Sequence, residues 1–440
     1  MRKQYLFIVI VICLMGCSKD FLEDKPDKAL LVPTTLSDFQ ALLDNTIVMT
    51  VVPSLHVIAG DELNVTTNGS TLNAIQRNAY FWEDDVYEAT SNIPDWSTPY
   101  KQVFYANIVL DGLSKLNRLD DPSAYDYIKG SALFIRAHAF YQIAQVFAPP
   151  FSPSTAASLE GIPLVLSSNV NIRPGRGTLE ETYARITEDL SLAYTLLPIN
   201  VPFKSRPNRP AALALLARTY LVMQDYFNAF KFADMALSFN SQLLDFNTLN
   251  STAASPFPVV LPNGNEEVLY FSQNVSYSIL SSSIVKLSED IKNSYDSNDL
   301  RKTLFISPTT GRYRGYIGIA NDEVYLIRAE SNCRLDRLQE ANADVNTLLV
   351  KRYQSGKFLP ILLMDKEKLL QRILLERRKE LINRGTRWSD LRRLNQFAST
   401  AIELKRVRDG VEIFLKPNSP KYTFPIPLTE LGEGVGQNIR

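Results

Sequence analysis

The feature that most constrains the fold of this chain is a pair of adjacent helices in which small residues recur at fixed offsets. Within residues 216–236, the positions that match a tetratricopeptide pattern are Leu216, Ala217, Tyr220, Ala229, Ala233 and Ala236. Alanine at such positions lets two antiparallel helices approach closely. Ala329 and Ala341 repeat the Ala217-to-Ala229 spacing. Two such units on either side of an irregular segment predict a scaffold of helix pairs that displays long loops.

Start and stop signals predict about four helix pairs, in residues 98–148, 178–240, 321–353 and 365–398. Thr178 with Glu181 forms a capping box, Pro210 stands at a helix start, and Asp225 is an N-cap. The individual helices are expected at 36–43, 99–116, 124–147, 179–197, 211–223, 226–239, 321–335, 339–353, 365–383 and 388–398. The expected fold is therefore mostly α, a tetratricopeptide-like scaffold within one domain, residues 36–440.

Two segments lack the helical period and are expected to be loop-rich, at about 45–97 and 240–320. The second contains β-type runs at 267–271 and 313–319, and residues 404–427 are typical of a short hairpin. Because repeat scaffolds usually display binding surfaces, we expect these loops to face a ligand.

Composition excludes several classes of function. Lys+Arg and Asp+Glu both number 47, so the chain lacks the basic excess of a nucleic-acid binder. His56 and His138 are far apart in sequence, which argues against a histidine metal site or histidine-driven catalysis. Cys333 has no partner outside the leader and is expected to be a buried residue on a helix. We expect no metal and no cofactor.

The first residues predict the cellular compartment. Met1–Gly16 has the features of a signal peptide, and its apolar run Tyr5–Leu14 is too short to span a bilayer. Leu14-Met15-Gly16-Cys17 resembles the lipobox that a lipoprotein signal peptidase cuts. Cys17 is thus expected to carry the lipid, with residues 17–35 as a tether. The alternative is an ordinary secretory signal that happens to contain a cysteine.

The most charged motif is Glu376–Arg393, with the sequence ERRKELINRGTRWSDLRR. It could bind an anionic ligand, or it could form an ion-pair network that holds the last helices together. We favour the network, because Glu and Arg alternate at helical i, i+4 spacing and offset each other.

Further motifs follow one another in order along nearly the whole chain: Ser131–Phe147, Gly161–Leu164, Arg176–Pro198, Arg209–Leu221, Asp322–Glu330, Glu376–Arg393 and Phe424–Pro427. Together with the lipobox, this ordered set resembles the SusD/RagB family of nutrient-binding outer-membrane lipoproteins. The resemblance implies a tetratricopeptide-like scaffold and a lipid anchor that faces the cell exterior. It also implies a TonB-dependent (SusC-like) barrel transporter as partner, and an oligosaccharide or peptide as ligand.

In this family the segment before the first repeat helix and the middle insertion commonly frame the ligand. Aromatic rings stack on the flat C–H faces of sugars, so we nominate Trp82, Tyr87, Trp96 and Tyr313 as a ligand-binding group. The alternative for each ring is packing against the scaffold.

Two other classes of function remain open from the sequence: a secreted glycan hydrolase, and a helical-repeat interaction scaffold without a small ligand. Asp61-Glu62 and Asp84-Asp85 could pose as acid/base pairs, but adjacent carboxylates are usually solvated. We therefore predict a binding protein and not an enzyme.

Overall fold

The computed structural model describes residues 33–88, 91–432 and 434–440. The predicted signal peptide, the predicted lipidation site Cys17 and the predicted tether up to residue 32 lie outside the described residues. Ten helices carry the architecture and are named here α1 (Leu36–Leu43), α2 (Pro94–Leu113), α3 (Pro122–Phe147), α4 (Leu179–Leu196), α5 (Arg209–Val222), α6 (Tyr226–Phe239), α7 (Asn321–Arg334), α8 (Leu338–Leu349), α9 (Lys366–Glu380) and α10 (Thr386–Leu394). The described part is mostly helical, as predicted.

The predicted caps begin the helices where expected. The Thr178 hydroxyl accepts from the Glu181 N–H (3.1 Å), and the Glu181 carboxylate accepts from the Thr178 N–H (2.7 Å), which completes the capping box of α4. Asp225 accepts from the Asn228 N–H (3.0 Å) and caps α6. Each cap satisfies an N–H that the first turn cannot pair internally.

The helices α2 to α7 pack in succession, each mainly against the next, and α7 also contacts α8 and α9. The repeat alanines Ala217, Ala229, Ala233 and Ala236 are fully buried between helices, so the small-residue pattern is confirmed as a packing signal. Cys333 is also buried, on α7, as predicted. In the fourth predicted pair, α9 packs on α7, whereas α10 packs on a short helix, Leu55–Ala59, and on α5.

Several helix boundaries differ from expectation by one to three residues, and three differ by four or five: the start of α2 and the ends of α8 and α10. Helix α2 begins at Pro94, and Pro99 lies inside it, where it removes one backbone hydrogen bond of the helix. Helix α8 ends at Leu349 instead of residue 353. The reason is tertiary: the backbone near Tyr353 forms an antiparallel bridge with Asp299.

Five two-stranded sheets link the loops. They pair β1 (Val51–Val52) with β6 (Gln273–Asn274), β2 (Leu63–Val65) with β7 (Val285–Leu287), β3 (Glu160–Pro163) with β4 (Arg176–Thr178), β5 (Val268–Phe271) with β8 (Gly318–Ala320), and β9 (Leu404–Arg408) with β10 (Val411–Leu415). The first predicted β-type run is confirmed by β5; of the second, only its end at Gly318 forms a strand. The β1–β6 and β2–β7 pairs join the two loop-rich segments to each other.

Short helices complete the loop-rich segments, at Thr46–Met49, Leu55–Ala59, Ala74–Tyr80, Ser278–Ser281, Glu289–Ser294 and Arg301–Leu304. The helices of the described part are all too short or too polar to cross a bilayer.

Candidate ligand-binding site

A polar cleft of about 790 Å³ opens where the two loop-rich segments meet the C-terminal hairpin. Asp61, residues 63–68, Tyr80 and Trp82 line one side, and residues 402–407 with Asp409 line the other. Ser288, Asp290 and Arg378 complete the lining. We call this site the Trp82 cleft.

Local sequence explains how its walls form. In β2 the buried residues Leu63 and Val65 alternate with the exposed Asn64, so the amide of Asn64 is presented to the cleft. The β9–β10 hairpin turns at Asp409-Gly410, both at positive φ (52° and 79°), as a two-residue hairpin turn requires. The Asn68 side-chain amide donates to the Asp409 carboxylate (3.1 Å), which joins the two walls.

The inner wall of the cleft is a cation stacked on aromatic rings. The guanidinium carbon of Arg406 lies 3.5 Å from the ring centre of Tyr80 and 4.4 Å from that of Trp82. Trp82 donates from Nε1 to the Ala59 carbonyl (2.9 Å), and only 3% of its surface is exposed. The ring of Trp82 is thus covered by Arg406, which is itself a lining residue.

Backbone carbonyls at the end of a short helix bind the Arg406 guanidinium. Its Nη2 donates to the carbonyls of Ile58 (3.1 Å), Ala59 (3.2 Å) and Gly60 (2.5 Å). These carbonyls lie at the C-terminal end of the helix Leu55–Ala59, where a cation is favoured. Burial lowers the pKa of Arg406 to about 10, so the side chain stays charged at neutral pH.

A carboxylate beside Arg406 is locked between two further guanidinium groups. Both oxygens of Asp61 accept from Arg387 (2.7 Å each), and one also pairs with Arg378 (3.0 Å). Burial by itself would raise the pKa of Asp61, but the two guanidinium groups hold it below its usual range. The neighbouring Glu62 has no such partner, and burial, aided by the charge of Asp61, raises its pKa to about 8.

A second opening, of about 820 Å³, lies along α2; we call it the Trp96 groove. Trp96, Tyr100 and Phe104 line it from successive turns of the helix. Trp96 is 5% exposed, and its ring packs edge-on against Phe147 at 5.0 Å between ring centres. The opposite wall comes from the loop between Pro163 and Pro174 and from residues near Leu431.

The other two nominated aromatics line neither opening. Tyr87 is half-buried, and within the described residues its hydroxyl has no hydrogen-bond partner. Tyr313 is half-buried, donates to the Tyr316 carbonyl (3.2 Å) and packs 5.7 Å from the Phe305 ring. The fold thus places Trp82 and Trp96 at two separate openings and does not bring the four rings together. Whether any of them contacts a ligand stays a prediction.

The charged motif Glu376–Arg393 forms buried ion pairs, as we favoured. Glu376 bonds Arg301 at 2.6 Å, and Arg393 bonds Glu330 at 2.6 Å. Most of these partners lie on other elements and not four residues away, so the helical-spacing argument was only partly correct. The network connects α9 and α10 with α7 and with the middle insertion.

One cluster within the network has the geometry of a metal site. Carboxylate oxygens of Glu267, Asp322 and Glu380 lie within 4.8 Å of one another. Guanidinium groups already supply the positive charge, because Arg352 bonds Glu267 (2.5 Å) and Glu380 (2.7 Å), and Arg384 bonds Asp322. The cluster therefore belongs to the ion-pair network.

Sequence reasoning missed Arg406 and Asn64 as cleft residues, and it considered Arg378 only within the charged motif, for which it favoured an ion-pair network over a ligand site. A signal existed for Arg406: residues Leu404 to Val407 alternate, and Arg406 occupies an inward position with Leu404. A charged residue at an inward strand position indicates either a buried ion pair or a ligand contact.

Two family models match the chain. The model described as "Starch-binding associating with outer membrane" matches residues 20–221, and the one described as "SusD family" matches residues 322–432. Among curated proteins, none matches the sequence.

Solved structures share the fold. A Bacteroides vulgatus protein superposes with a TM-score of 0.74 at 21% identity, over 93% of this chain and 99% of that one. A SusD superfamily protein of Bacteroides thetaiotaomicron gives 0.72 at 21% identity, over 92% and 100%. A SusD-like carbohydrate binding protein of Bacteroides vulgatus gives 0.68 at 18% identity, over 90% and 95%.

Proposed function

The chain belongs to the SusD/RagB family, and from this premise we propose that it is a lipid-anchored outer-membrane protein that binds an oligosaccharide and delivers it to a TonB-dependent barrel transporter. The anchor is Cys17, and the binding domain faces the cell exterior. The protein binds its ligand without transforming it.

The observation that carries the proposal is the lining of the Trp82 cleft. Sugar hydroxyls need many hydrogen-bond partners, and the wall of residues 64–68 presents Asn64, Thr66, Thr67 and Asn68, all exposed. The cleft volume of about 790 Å³ lies in the range of small-molecule sites. The name of one structural relative, a carbohydrate binding protein, agrees with this ligand class.

The adjacent carboxylates Asp61 and Glu62 do not form a catalytic pair, which favours binding over hydrolysis. A glycosidase needs two carboxyl groups that flank the scissile bond and are free to exchange protons. Asp61 is held in ion pairs with two arginines, and Glu62 is 2% exposed. Neither is free to act as acid or base on a sugar in the cleft.

The proposal is tested on a glycan array, followed by calorimetry with the tightest oligosaccharide. Asn64→Ala should weaken binding about tenfold, because the ligand then loses its hydrogen bond to the exposed Asn64 amide, which has no partner among the described residues. Asn169→Ala, at an exposed asparagine of the Trp96 groove, is the matched control and should leave affinity unchanged. Equal affinity of both variants would show that the ligand binds outside the Trp82 cleft. Release of shorter glycans would show that the protein is an enzyme.

The nominated aromatics belong to the same test. Trp96→Ala should weaken binding only if the ligand occupies the Trp96 groove. The alanine variants of Trp82, Tyr87 and Tyr313 are first checked for folding by circular dichroism, because these rings pack inside the fold.

The lipid anchor is tested separately. Cys17→Ser should abolish incorporation of labelled palmitate and release the protein from the membrane fraction.

A further inference from the structure

The Trp82 cleft holds a buried cation that makes no direct ion pair with any described carboxylate. Arg406 is 7% exposed and forms no salt bridge in the described part of the chain. Its Nη2 is occupied by three backbone carbonyls, whereas its Nη1 has no hydrogen-bond partner among the described residues. A charged donor that is removed from water and left unpaired is costly, so this position favours a ligand that carries a hydrogen-bond acceptor.

A second unpaired donor lines the same cleft. Arg378 uses Nη2 for Asp61 at 3.0 Å, and its Nε has no acceptor. The two oxygens of Asp61 are already shared with Arg387. Two guanidinium groups of the cleft therefore each retain an N–H group that the protein does not satisfy.

The charges of the inner wall do not balance. Two guanidinium groups, those of Arg378 and Arg406, line it beside one buried ionised carboxylate, that of Asp61, which also pairs with Arg387. Glu62 does not offset them, because burial raises its pKa to about 8 and keeps it protonated at neutral pH.

Acidic groups at the mouth do not neutralise this charge. Asp290, Glu403 and Asp409 line the rim but are exposed, and exposed charges are screened by water and salt. Lys405, also on the rim, pairs with Glu412. The buried inner wall is thus cationic, while the rim is mixed.

We propose that the Trp82 cleft selects a glycan that bears an anionic group, and that Arg406 and Arg378 bind that group. This rests on the proposed function, because it names the ligand class of the same cleft. Guanidinium groups pair with two oxygens at once, a geometry that both a uronic-acid carboxylate and a sulfate ester offer.

Matched glycan pairs test the proposal on the detergent-solubilised full chain at about 50 mM salt. One pair is an oligogalacturonate and its carboxyl-reduced form; the other is a carrageenan oligosaccharide and its desulfated form. We expect the anionic member of at least one pair to bind at least about tenfold more tightly, with affinity that falls as salt rises. The pair whose two members differ in affinity shows whether the cleft recognises a carboxylate or a sulfate.

The outcomes separate this inference from the proposed function. Equal or tighter binding of the neutral members, or a neutral ligand alone on the glycan array, overturns the anionic inference and leaves glycan binding intact. Absence of any glycan ligand on the array overturns both.

Variants locate the contact. Arg378→Gln and Arg406→Gln should each reduce affinity for the anionic member about tenfold and leave the neutral member unchanged. Arg408→Gln is the matched control, since this arginine lies on the same strand, pairs with Glu83 and does not line the cleft. If Arg406→Gln fails to fold, as judged by circular dichroism, Arg378→Gln alone decides. An anionic preference retained in the folded variants overturns the assignment.

Discussion

At the scale of single residues, buried arginines organise this protein in two different ways. Arg301 is fully buried and bonds three carboxylates, those of Asp299, Glu376 and Glu380, at 2.6–2.9 Å. Arg406 is also buried but bonds only carbonyls within the described chain. In the first arrangement carboxylates of the protein neutralise the guanidinium, and in the second the Nη1 group of Arg406 can still donate to a ligand.

Removal of Arg301 should therefore be costly. Arg301→Leu removes one cationic partner from each of three buried carboxylates, and we expect the free energy of unfolding to fall by about 3–5 kcal/mol. Urea unfolding measures the loss. The control is Arg118→Leu, which breaks an exposed pair with Asp126 and should cost about 1 kcal/mol or less. Equal losses would contradict a structural role for the buried network.

Glu62 should impose a pH dependence on stability. Its ordinary pKa of 4.5 applies in the unfolded chain, and its pKa of about 8 in the folded chain. Between these values the folded state holds a proton that the unfolded state has released, so stability falls as pH rises through this window.

Glu62→Gln cannot ionise and should not show this fall, while its side-chain oxygen can still accept from the Asn383 N–H. The stability of the variant relative to the native chain should rise by a few kcal/mol between about pH 5 and about pH 9. Parallel stability curves from urea unfolding across that range would show that Glu62 titrates normally.

At the scale of elements, local capping decides where helices begin, and tertiary pairing decides where some of them end. The reciprocal bonds of Thr178 and Glu181 start α4. By contrast, α8 stops where Tyr353 enters a bridge with Asp299, a partner that no local pattern indicates.

The cap of α4 gives a measurable prediction. Thr178→Ala removes the hydroxyl that accepts from the Glu181 N–H and should reduce the free energy of unfolding by about 1 kcal/mol. Thr195→Ala in the same helix is the control, because Thr195 is exposed and its hydroxyl donates only to the Leu192 carbonyl. A loss at both positions of the same size would exclude the cap as the cause.

At the scale of the whole molecule, the middle insertion and the N-terminal loop segment form one unit through their strand pairs. Val65 pairs with Val285, and Val51 pairs with Gln273, across more than two hundred residues of sequence. The helix stack supports this unit, and the Trp82 cleft opens beside it. Ligand binding should therefore depend on this pairing even where the altered residue does not line the cleft.

Val285→Asp places a carboxylate in a 3% exposed position opposite Val65 and should destabilise the pair by about 3 kcal/mol. We expect faster hydrogen exchange in Leu63–Val65 and weaker ligand binding together. Val259→Asp, in the same insertion but 76% exposed, should change neither. Faster exchange with unchanged affinity would show that the strand pair does not shape the cleft.

The candidate site was less predictable than the scaffold. Trp82 was nominated for its ring, yet the ring is covered by Arg406, which lies more than three hundred residues later in the chain. The network preference for Glu376–Arg393 was correct, but Arg301 as partner of Glu376 was not foreseeable from helical spacing.

What the sequence alone determined is the main helices, their caps and their small-residue contacts, because each depends on residues that are close together in the sequence. The ordered motifs also sufficed to indicate the family. Only the tertiary structure decided which carboxylate neutralises which arginine, which aromatic rings are covered, and that Arg406 retains an unpaired donor. These facts depend on side chains that come from distant segments, and the geometry of their approach is set by the packing of the whole chain.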